Sequence, residues 1–222
     1  MNQQYIPASA QSGALATNKL IRNTYVLLSA SMLFSAFTAT MSVMMHMPPM
    51  TYLISIGIAF IMMWFVLPRT ANSSNGLLVV FAITGLLGFS LGPILTMYLA
   101  LANGPSIVAT ALGGTGVIFF GLSGYALVTR KDFSFMGGFL FVGILVLIAA
   151  MLANLFLSIP ALSLAISAGV ILIMSGFILF DTSRMVHDPE KANYIIMTVS
   201  LYLSIFNIFI SLLQLLGIAG DD

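Results

Sequence analysis

The sequence predicts an all-α membrane protein with seven transmembrane helices, its N-terminus in the cytoplasm and its C-terminus outside. Hydrophobic residues make up 60% of the 222 residues and charged residues 6%, whereas a soluble domain carries about 25% charged residues. The apolar residues fall into long runs, and the 7 Lys and Arg occupy every second gap between those runs. Cytoplasmic loops are enriched in Lys and Arg, so this alternation predicts both the number of spans and their orientation. The basic residues are Lys19, Arg22, Arg69, Arg130, Lys131, Arg184 and Lys191.

The seven apolar runs are long enough to cross a bilayer, because a helix needs roughly 20 residues to cover about 30 Å of hydrocarbon. The gaps between them carry turn-forming residues, for example Pro48-Pro49 and Asn103-Gly104-Pro105, which interrupt helices. The runs lack the period-two alternation of transmembrane β-barrel strands. The predicted spans are 24–45, 50–67, 76–101, 107–128, 134–157, 161–183 and 194–217.

The first 23 residues are predicted to form a cytoplasmic tail in front of the first span. They are polar and lack the apolar segment and the small-residue cleavage site of a signal peptide. Residues 1–18 carry no charged side chain, and we expect them to be disordered. Residues 24–222 are predicted to form a single seven-helix transmembrane domain.

Small residues recur inside the third, fourth and fifth spans, where they allow helix backbones to approach closely. We therefore interpret them as packing residues. The Gly92-Pro93 pair interrupts the third span, and a proline there removes a backbone hydrogen bond and favours a kink. Gly92 and Pro93 are the candidate positions for a gating hinge. The small residues are Gly85, Gly88, Gly92, Ala109, Gly113, Gly116, Gly137, Gly138 and Gly143.

Composition excludes several function classes. The net charge is +1, which gives no basis for nucleic-acid binding. Cys is absent, so thiol catalysis and thiolate metal sites are excluded. Methionines cluster around His46 before the second span, and a soft-metal site is one interpretation. Flexible apolar filling of the helix ends is the interpretation we favour, because only one imidazole is available.

An enzymatic function is not predicted, and no cofactor is implied. Gly121-Leu122-Ser123-Gly124 matches the GxSG pattern of rhomboid-like intramembrane proteases, which requires a His within hydrogen-bond reach of the serine. The two histidines, His46 and His187, both fall in predicted loops. We therefore interpret Ser123 as a packing residue.

Asp181 is the most informative polar residue because it ends a long apolar run. A carboxylate inside a membrane helix costs about 2.5–3.5 kcal/mol at mid-depth and less near the ends. One interpretation is an interfacial aspartate paired with Arg184 at i,i+3. The other is a protonatable or cation-binding group with a functional role. The residues alone leave both interpretations open.

The loop after Asp181 carries His187, Asp188, Glu190 and Lys191. Histidine titrates near pH 6.5, so His187 and Asp188 are candidates for a pH-sensitive cluster. A solvated charged loop is the alternative, and it is the interpretation we favour since loops commonly carry such residues.

Several stretches, in order along nearly the whole chain, resemble the Bax inhibitor family of membrane proteins, and most closely its bacterial YccA-like branch. They lie at the start of the first span, in the third, before the fifth, at the end of the sixth and in the seventh. The stretches are Asn23-Thr24-Tyr25, Leu91-Gly92-Pro93-Ile94, Arg130-Lys131-Asp132-Phe133-Ser134-Phe135, Leu179-Phe180-Asp181-Thr182 and 200–209.

The resemblance implies a fold in which six helices surround a central seventh. Some family members are pH-sensitive calcium leak channels whose sensor is a pair of aspartates on the sixth and seventh helices. Asp181 matches the first aspartate, whereas Ser204 stands at the position of the second. A calcium or proton leak gated near Asp181, with Asp181 as a calcium ligand, is the alternative function implied by the family.

The YccA-like branch is associated with FtsH, a membrane-anchored ATP-dependent protease. The resemblance implies a multi-pass protein of the bacterial inner membrane that is degraded slowly and thereby restrains the protease. Such proteases need an unstructured cytoplasmic tail to begin pulling, and residues 1–18 are the candidate. Modulation of an FtsH-type protease is therefore the leading functional hypothesis.

Overall fold

The structure is a computed structural model that describes residues 8–219, and it contains all seven predicted transmembrane helices. Each helix is long and apolar enough to span a membrane. The helices are α1 (Ala8–Met44), α2 (Met50–Thr70), α3 (Asn75–Leu99), α4 (Gly104–Thr129), α5 (Met136–Leu157), α6 (Pro160–His187) and α7 (Tyr194–Ala219).

The first helix begins earlier than predicted. Residues 8–23, predicted to belong to an irregular tail, are helical and run directly into the first span. They include Ala, Leu, Lys and Arg, which are good helix formers, and no proline lies between Pro7 and Pro48. Residues 1–7 lie outside the described part of the chain, and the separate role of the N-terminal segment stays a prediction.

The second helix contains a π-helical turn that the sequence analysis missed. It runs as an α-helix over Met50–Ile61, as a π-helix over Met62–Val66, and as an α-helix again to Thr70. The N–H of Leu67 donates to the carbonyl of Met62, five residues back. Pro68 follows directly, and a proline cannot donate to the carbonyl four residues before it. The wider turn accommodates this interruption without ending the helix.

One end of the bundle gathers the loops that carry the basic side chains, and we call it the basic end. Asn193, before α7, donates from Nδ2 to Ala71 O over 3.0 Å and to Asn72 Oδ1 over 2.7 Å. His187 Nε2 lies 3.0 Å from Arg130 O, in the loop before α5. The loops α2–α3, α4–α5 and α6–α7 therefore meet at one end, as the charge alternation predicted.

The seventh helix is the centre of the bundle, as predicted. It has the largest buried fraction of any described span, 67% against 56% for α3 and 6% for α5. It packs directly against α1, α3, α4 and α6. The second helix packs on α3 and the fifth on α6, so these two helices lie one layer further out.

Hydroxyl groups tie the central helix to its neighbours. Tyr202 of α7 is 1% exposed, and its OH lies 2.6 Å from Ser35 Oγ of α1. The same OH donates to Thr84 O of α3 over 3.3 Å. The Tyr202 side chain thus links three helices. Its hydroxyl group has hydrogen-bond partners that hydrocarbon could not provide.

Glycines let α1 and α3 touch along their backbones. A Cβ added at Gly88 would collide with the carbonyl and the hydroxyl of Ser35, and one at Gly92 would collide with Ser42. The packing interpretation is therefore correct for α3. It is wrong for Gly113 and Gly116 of α4, where an added Cβ would meet no atom within 4 Å. It also fails at Gly138 of α5, which has the same open space.

Replacing Gly88 by alanine is expected to destabilise the protein, because the backbone of Ser35 must move to admit the methyl group. The expected loss in the free energy of unfolding is about 1–3 kcal/mol. Gly113→Ala is the matched control, and it is expected to be neutral or slightly stabilising because the methyl group meets no other atom and glycine disfavours helix. Thermal or denaturant unfolding in detergent measures both. Equal midpoints for the two variants would contradict the close α1–α3 contact.

Candidate functional site

Asp181 is a buried carboxylate that faces the centre of the bundle. It lies six residues before the end of α6 and is 3% exposed. Ser200 Oγ of α7 donates to Asp181 Oδ2 over 2.5 Å. Because a carboxylate is costly to keep among apolar helices, its inward position marks it as a candidate functional group.

The structure does not contain the Asp181–Arg184 ion pair that the interfacial interpretation required. Across residues 8–219 the only ion pair joins Lys191 Nζ to Asp188 Oδ1 at 3.9 Å, on an exposed surface. The guanidinium of Arg184 instead lies over the ring of Phe180, 5.6 Å from its centroid. Asp181 and Arg184 are close in sequence, but the side chain of Asp181 turns towards α7 and that of Arg184 packs on its own helix.

The hydroxyl that binds Asp181 belongs to Ser200 and not to Ser204. Ser204 is buried, and its Oγ donates to Ser200 O, one turn back on α7, over 3.2 Å. Ser204 therefore lies one turn beyond the carboxylate. Ser200 was not among the predicted site residues, although its spacing of four residues from Ser204 puts both hydroxyls on one helix face.

Ser123 has hydroxyl partners on two other helices. It is hydrogen-bonded to Tyr25 OH of α1, and its Oγ lies 3.3 Å from Thr182 Oγ1 of α6. Neither described histidine makes a hydrogen bond with Ser123: His46 Nδ1 contacts Met44 O, and His187 contacts backbone carbonyls. This agrees with Ser123 as a packing residue that joins α1, α4 and α6 near the basic end.

His187 helps to hold the α4–α5 loop against the end of α6. Its Nδ1 lies 3.0 Å from Ser183 O, and its Nε2 lies 3.0 Å from Arg130 O. Ser183 Oγ accepts the N–H of Phe133 over 2.9 Å. His187 therefore has a structural position in this cluster, whereas the exposed Asp188 pairs only with Lys191.

Asp132 in the same loop is held by its neighbour Ser134. The Ser134 hydroxyl donates to Asp132 Oδ1, and the Ser134 N–H donates to the same oxygen over 2.8 Å. These hydrogen bonds, with a smaller contribution from nearby His187, lower the pKa of Asp132 below its ordinary value. These hydrogen bonds therefore favour the ionised form of the Asp132 carboxylate.

The other candidate sites have different surroundings. The third helix continues without a break through Gly92 and Pro93, and Gly92 is a contact point with Ser42.

In the described part of the chain, no three His, Asp or Glu side chains gather closely enough to hold a metal ion. Asp181 and Ser200 offer three side-chain oxygens, fewer than the six to eight that calcium takes, so these residues do not form a closed calcium site.

A model of the family described as "Inhibitor of apoptosis-promoting Bax1" matches residues 17–221. A relative from Escherichia coli named "Modulator of FtsH protease YccA" is 51% identical over 213 residues, which cover 96% of this chain and 95% of the relative. A relative from a second Escherichia coli strain, with the same identity and coverage, is named "Inner membrane protein YccA". An uncharacterised membrane protein of Vibrio cholerae is 46% identical over 96% of both chains. These matches agree with the predicted family and inner-membrane localisation.

The Ser200–Asp181 contact is expected to stabilise the bundle. Ser200→Ala removes the donor and leaves the carboxyl group buried without that bond, at an expected cost of about 1.5–3 kcal/mol. In an Asp181→Ala background the same change should cost much less, since the partner is already absent. A double-mutant cycle by thermal unfolding in detergent measures the difference. Additive effects of the two substitutions would show that the pair contributes nothing.

Proposed function

The chain belongs to the Bax inhibitor family, and from that premise we propose that it is a non-enzymatic modulator of an FtsH-type membrane protease. The single observation that carries the proposal is the 51% identity to a protein named as a modulator of FtsH protease. The match covers 96% of this chain and 95% of the relative, so it includes all seven helices. The proposed partners are this protease and the lipid bilayer.

The N-terminal helix offers a reason for slow degradation. A protease that pulls on the cytoplasmic N-terminus would have to extract α1 first. This helix contacts α3, α6 and the central α7, and its Ser35 is hydrogen-bonded to the buried Tyr202. Extraction of α1 therefore breaks the core of the bundle at the first step. A substrate with such an early barrier occupies the protease for a long time, which is a form of kinetic stability.

The proposal that the protein lacks catalytic activity is supported by the hydrogen-bond partners of Ser123. Ser123, the serine of the GxSG pattern, bonds Tyr25 and lies beside Thr182. A serine nucleophile needs an adjacent base, and these partners are hydroxyls. The bonds of Ser123 serve helix packing in this account.

The N-terminal segment is tested by deleting residues 2–18, which include the first part of α1, and following ATP-dependent degradation by an FtsH-type protease in proteoliposomes. Loss of the segment is expected to weaken protease binding and to slow degradation several-fold, since the protease loses its starting point. The matched control replaces residues 2–18 by a shuffled sequence of the same composition, which should be degraded like the wild type. Unchanged binding and degradation after deletion would contradict the proposed role of the tail.

The barrier at α1 is tested by Gly88→Ala in the same assay. If this substitution loosens α1 from α3, degradation should become about 5- to 30-fold faster, the factor that corresponds to one or two kcal/mol. Gly113→Ala, where the added Cβ meets no atom within 4 Å, should be degraded at the wild-type rate. Equal degradation rates for both variants would mean that extraction of α1 is not the slow step.

A second candidate function, a pH-sensitive calcium or proton leak gated near Asp181, is favoured by one observation. The carboxyl group is buried against α7 and bonded to Ser200. The absence of a second carboxylate at Ser204 weakens this candidate, because two carboxylates could share a proton and one cannot.

Calcium entry into dye-loaded liposomes tests the leak, at about pH 6 and about pH 8, on either side of the ordinary histidine pKa. A leak gated by Asp181 would be pH-dependent in the wild type and lost or altered in Asp181→Asn. Glu190→Gln is the control, because Glu190 is an exposed acid in the loop after the same helix. A flux no greater than that of empty liposomes would exclude the leak and leave the protease proposal intact.

A further inference from the structure

A groove opens between α1 and α4 on the side of the bundle that faces the bilayer. Its volume is about 620 Å³. The walls come from α1 and α4, and the floor includes Tyr202, Phe206 and Phe209 of the central helix. Leu33 on one wall and Phe120 on the other are 75% and 73% exposed, so the groove is open sideways to lipid.

The groove exists because α1 and α4 meet at one end and are separated along the rest of their length. Near the basic end, Tyr25 bonds Ser123, and its ring lies 6.1 Å from that of Phe119. Beyond this point α1 packs along α3 and α7 rather than along α4. On α4, Gly116 lines the gap, and a Cβ there would meet no atom within 4 Å.

The dimensions of the groove suit one hydrocarbon chain. Its lining runs from Tyr25 to Thr40 on α1, a length of about 22 Å at the rise of an α-helix. Divided by this length, the volume of about 620 Å³ gives a mean cross-section of about 28 Å², so the groove is long and narrow along α1. Carbon atoms in contact lie about 3.5–4.0 Å apart, so a single file of methylene groups fits.

The hydroxyl groups that line the groove form hydrogen bonds to other protein groups. The groove therefore presents a mainly apolar surface. Ser29 and Thr40 donate to carbonyls four residues back on α1, over 2.8 and 2.9 Å. Thr115 donates to Ala111 O over 2.7 Å, and Ser35 bonds Tyr202. With these groups satisfied, water would find few partners in the groove, and hydrocarbon is the better occupant.

Basic side chains flank the end of the groove where α1 and α4 meet. Lys19 lies six residues before Tyr25, and Arg130 lies seven residues after Ser123. Since Tyr25 and Ser123 are hydrogen-bonded and the helices are antiparallel, the backbones of both basic residues lie about 9–11 Å beyond that hydrogen bond along the helix axes. Arg22 and Lys131 are next to them, and all four are exposed. The only ion pair within residues 8–219 involves none of these four side chains.

We propose that this groove binds one acyl chain of an anionic phospholipid, with the phosphate held by the basic side chains at the end of α1 and α4. The chain enters sideways between the helices, and the headgroup stays at the level of Lys19 and Arg130. The anionic headgroup is preferred because each nearby cation attracts it. This lipid site does not depend on the proposed protease function.

Lipid binding is tested by native mass spectrometry of the full-length protein in detergent, titrated with phosphatidylglycerol or with phosphatidylcholine. The wild type is expected to bind phosphatidylglycerol more tightly. Gly116→Leu should fill the groove and weaken binding of phosphatidylglycerol at least 5-fold. Gly121→Leu is the matched control, because Gly121 lies on the same helix, also has no atom within 4 Å of an added Cβ, and does not line the groove. It should bind like the wild type.

Two further variants keep the test decisive if Gly116→Leu does not fold. Ala36→Leu fills the groove from the opposite wall and should have the same effect. Lys19→Gln with Arg22→Gln should reduce the preference for phosphatidylglycerol over phosphatidylcholine, by about 5-fold for each charge removed, whereas Arg69→Gln should not. Equal binding by Gly116→Leu and Gly121→Leu, or no preference between the two lipids, would overturn the proposal. The proposal would also be overturned if Gly116→Leu or Ala36→Leu changed the fraction of dimer and left lipid binding unchanged. That result would identify a helix of a second copy as the occupant of the groove.

Discussion

Burying a polar side chain without a hydrogen-bond partner is costly, and hydrogen bonds from the polar side chains of α7 organise the bundle around that helix. Tyr202 reaches α1 and α3, and Ser200 reaches the carboxylate of α6. Gln214 is hydrogen-bonded to Ser167 of α6 over 2.7 Å. These side chains require protein around them on several sides, so the helix that carries them lies at the centre. The fifth helix has few such groups, and only 6% of its span is buried inside the protein.

Small residues make these contacts possible by bringing the helices together. Gly88 and Gly92 bring α3 against Ser35 and Ser42 of α1, which places the Ser35 hydroxyl within reach of Tyr202. Ser31 and Ser42 are buried and make no hydrogen bond through their hydroxyls, so on α1 small size is as important as polarity. The consequence is that α1, the helix nearest the N-terminus, is also an integral part of the core. In the proposed function, this packing of α1 is what would slow extraction by the protease.

The sequence was sufficient for the parts of the fold that depend on hydropathy and charge. The seven spans, the gathering of basic loops at one end and the turns at Pro48 and Gly104 all follow from local composition. Features that depend on the facing helix could not be predicted in this way. The sequence contains Ser200 and Ser204 on one face, but only the position of α6 selects Ser200 for Asp181. Likewise, glycines on α3 and α4 look alike, yet those of α3 meet α1, and Gly116 faces open space.

The central claim is that α1 is held by the core and forms the first barrier to extraction. Single-molecule pulling on the N-terminus of the protein in a lipid bilayer tests it most directly, since forced unfolding reports the unfolding barrier. The account predicts that α1 resists extraction more strongly than α2 or α5 and that its release unfolds α3 and α7 in the same event. Extraction of α1 at a low force, with the remaining helices still folded, would contradict the account.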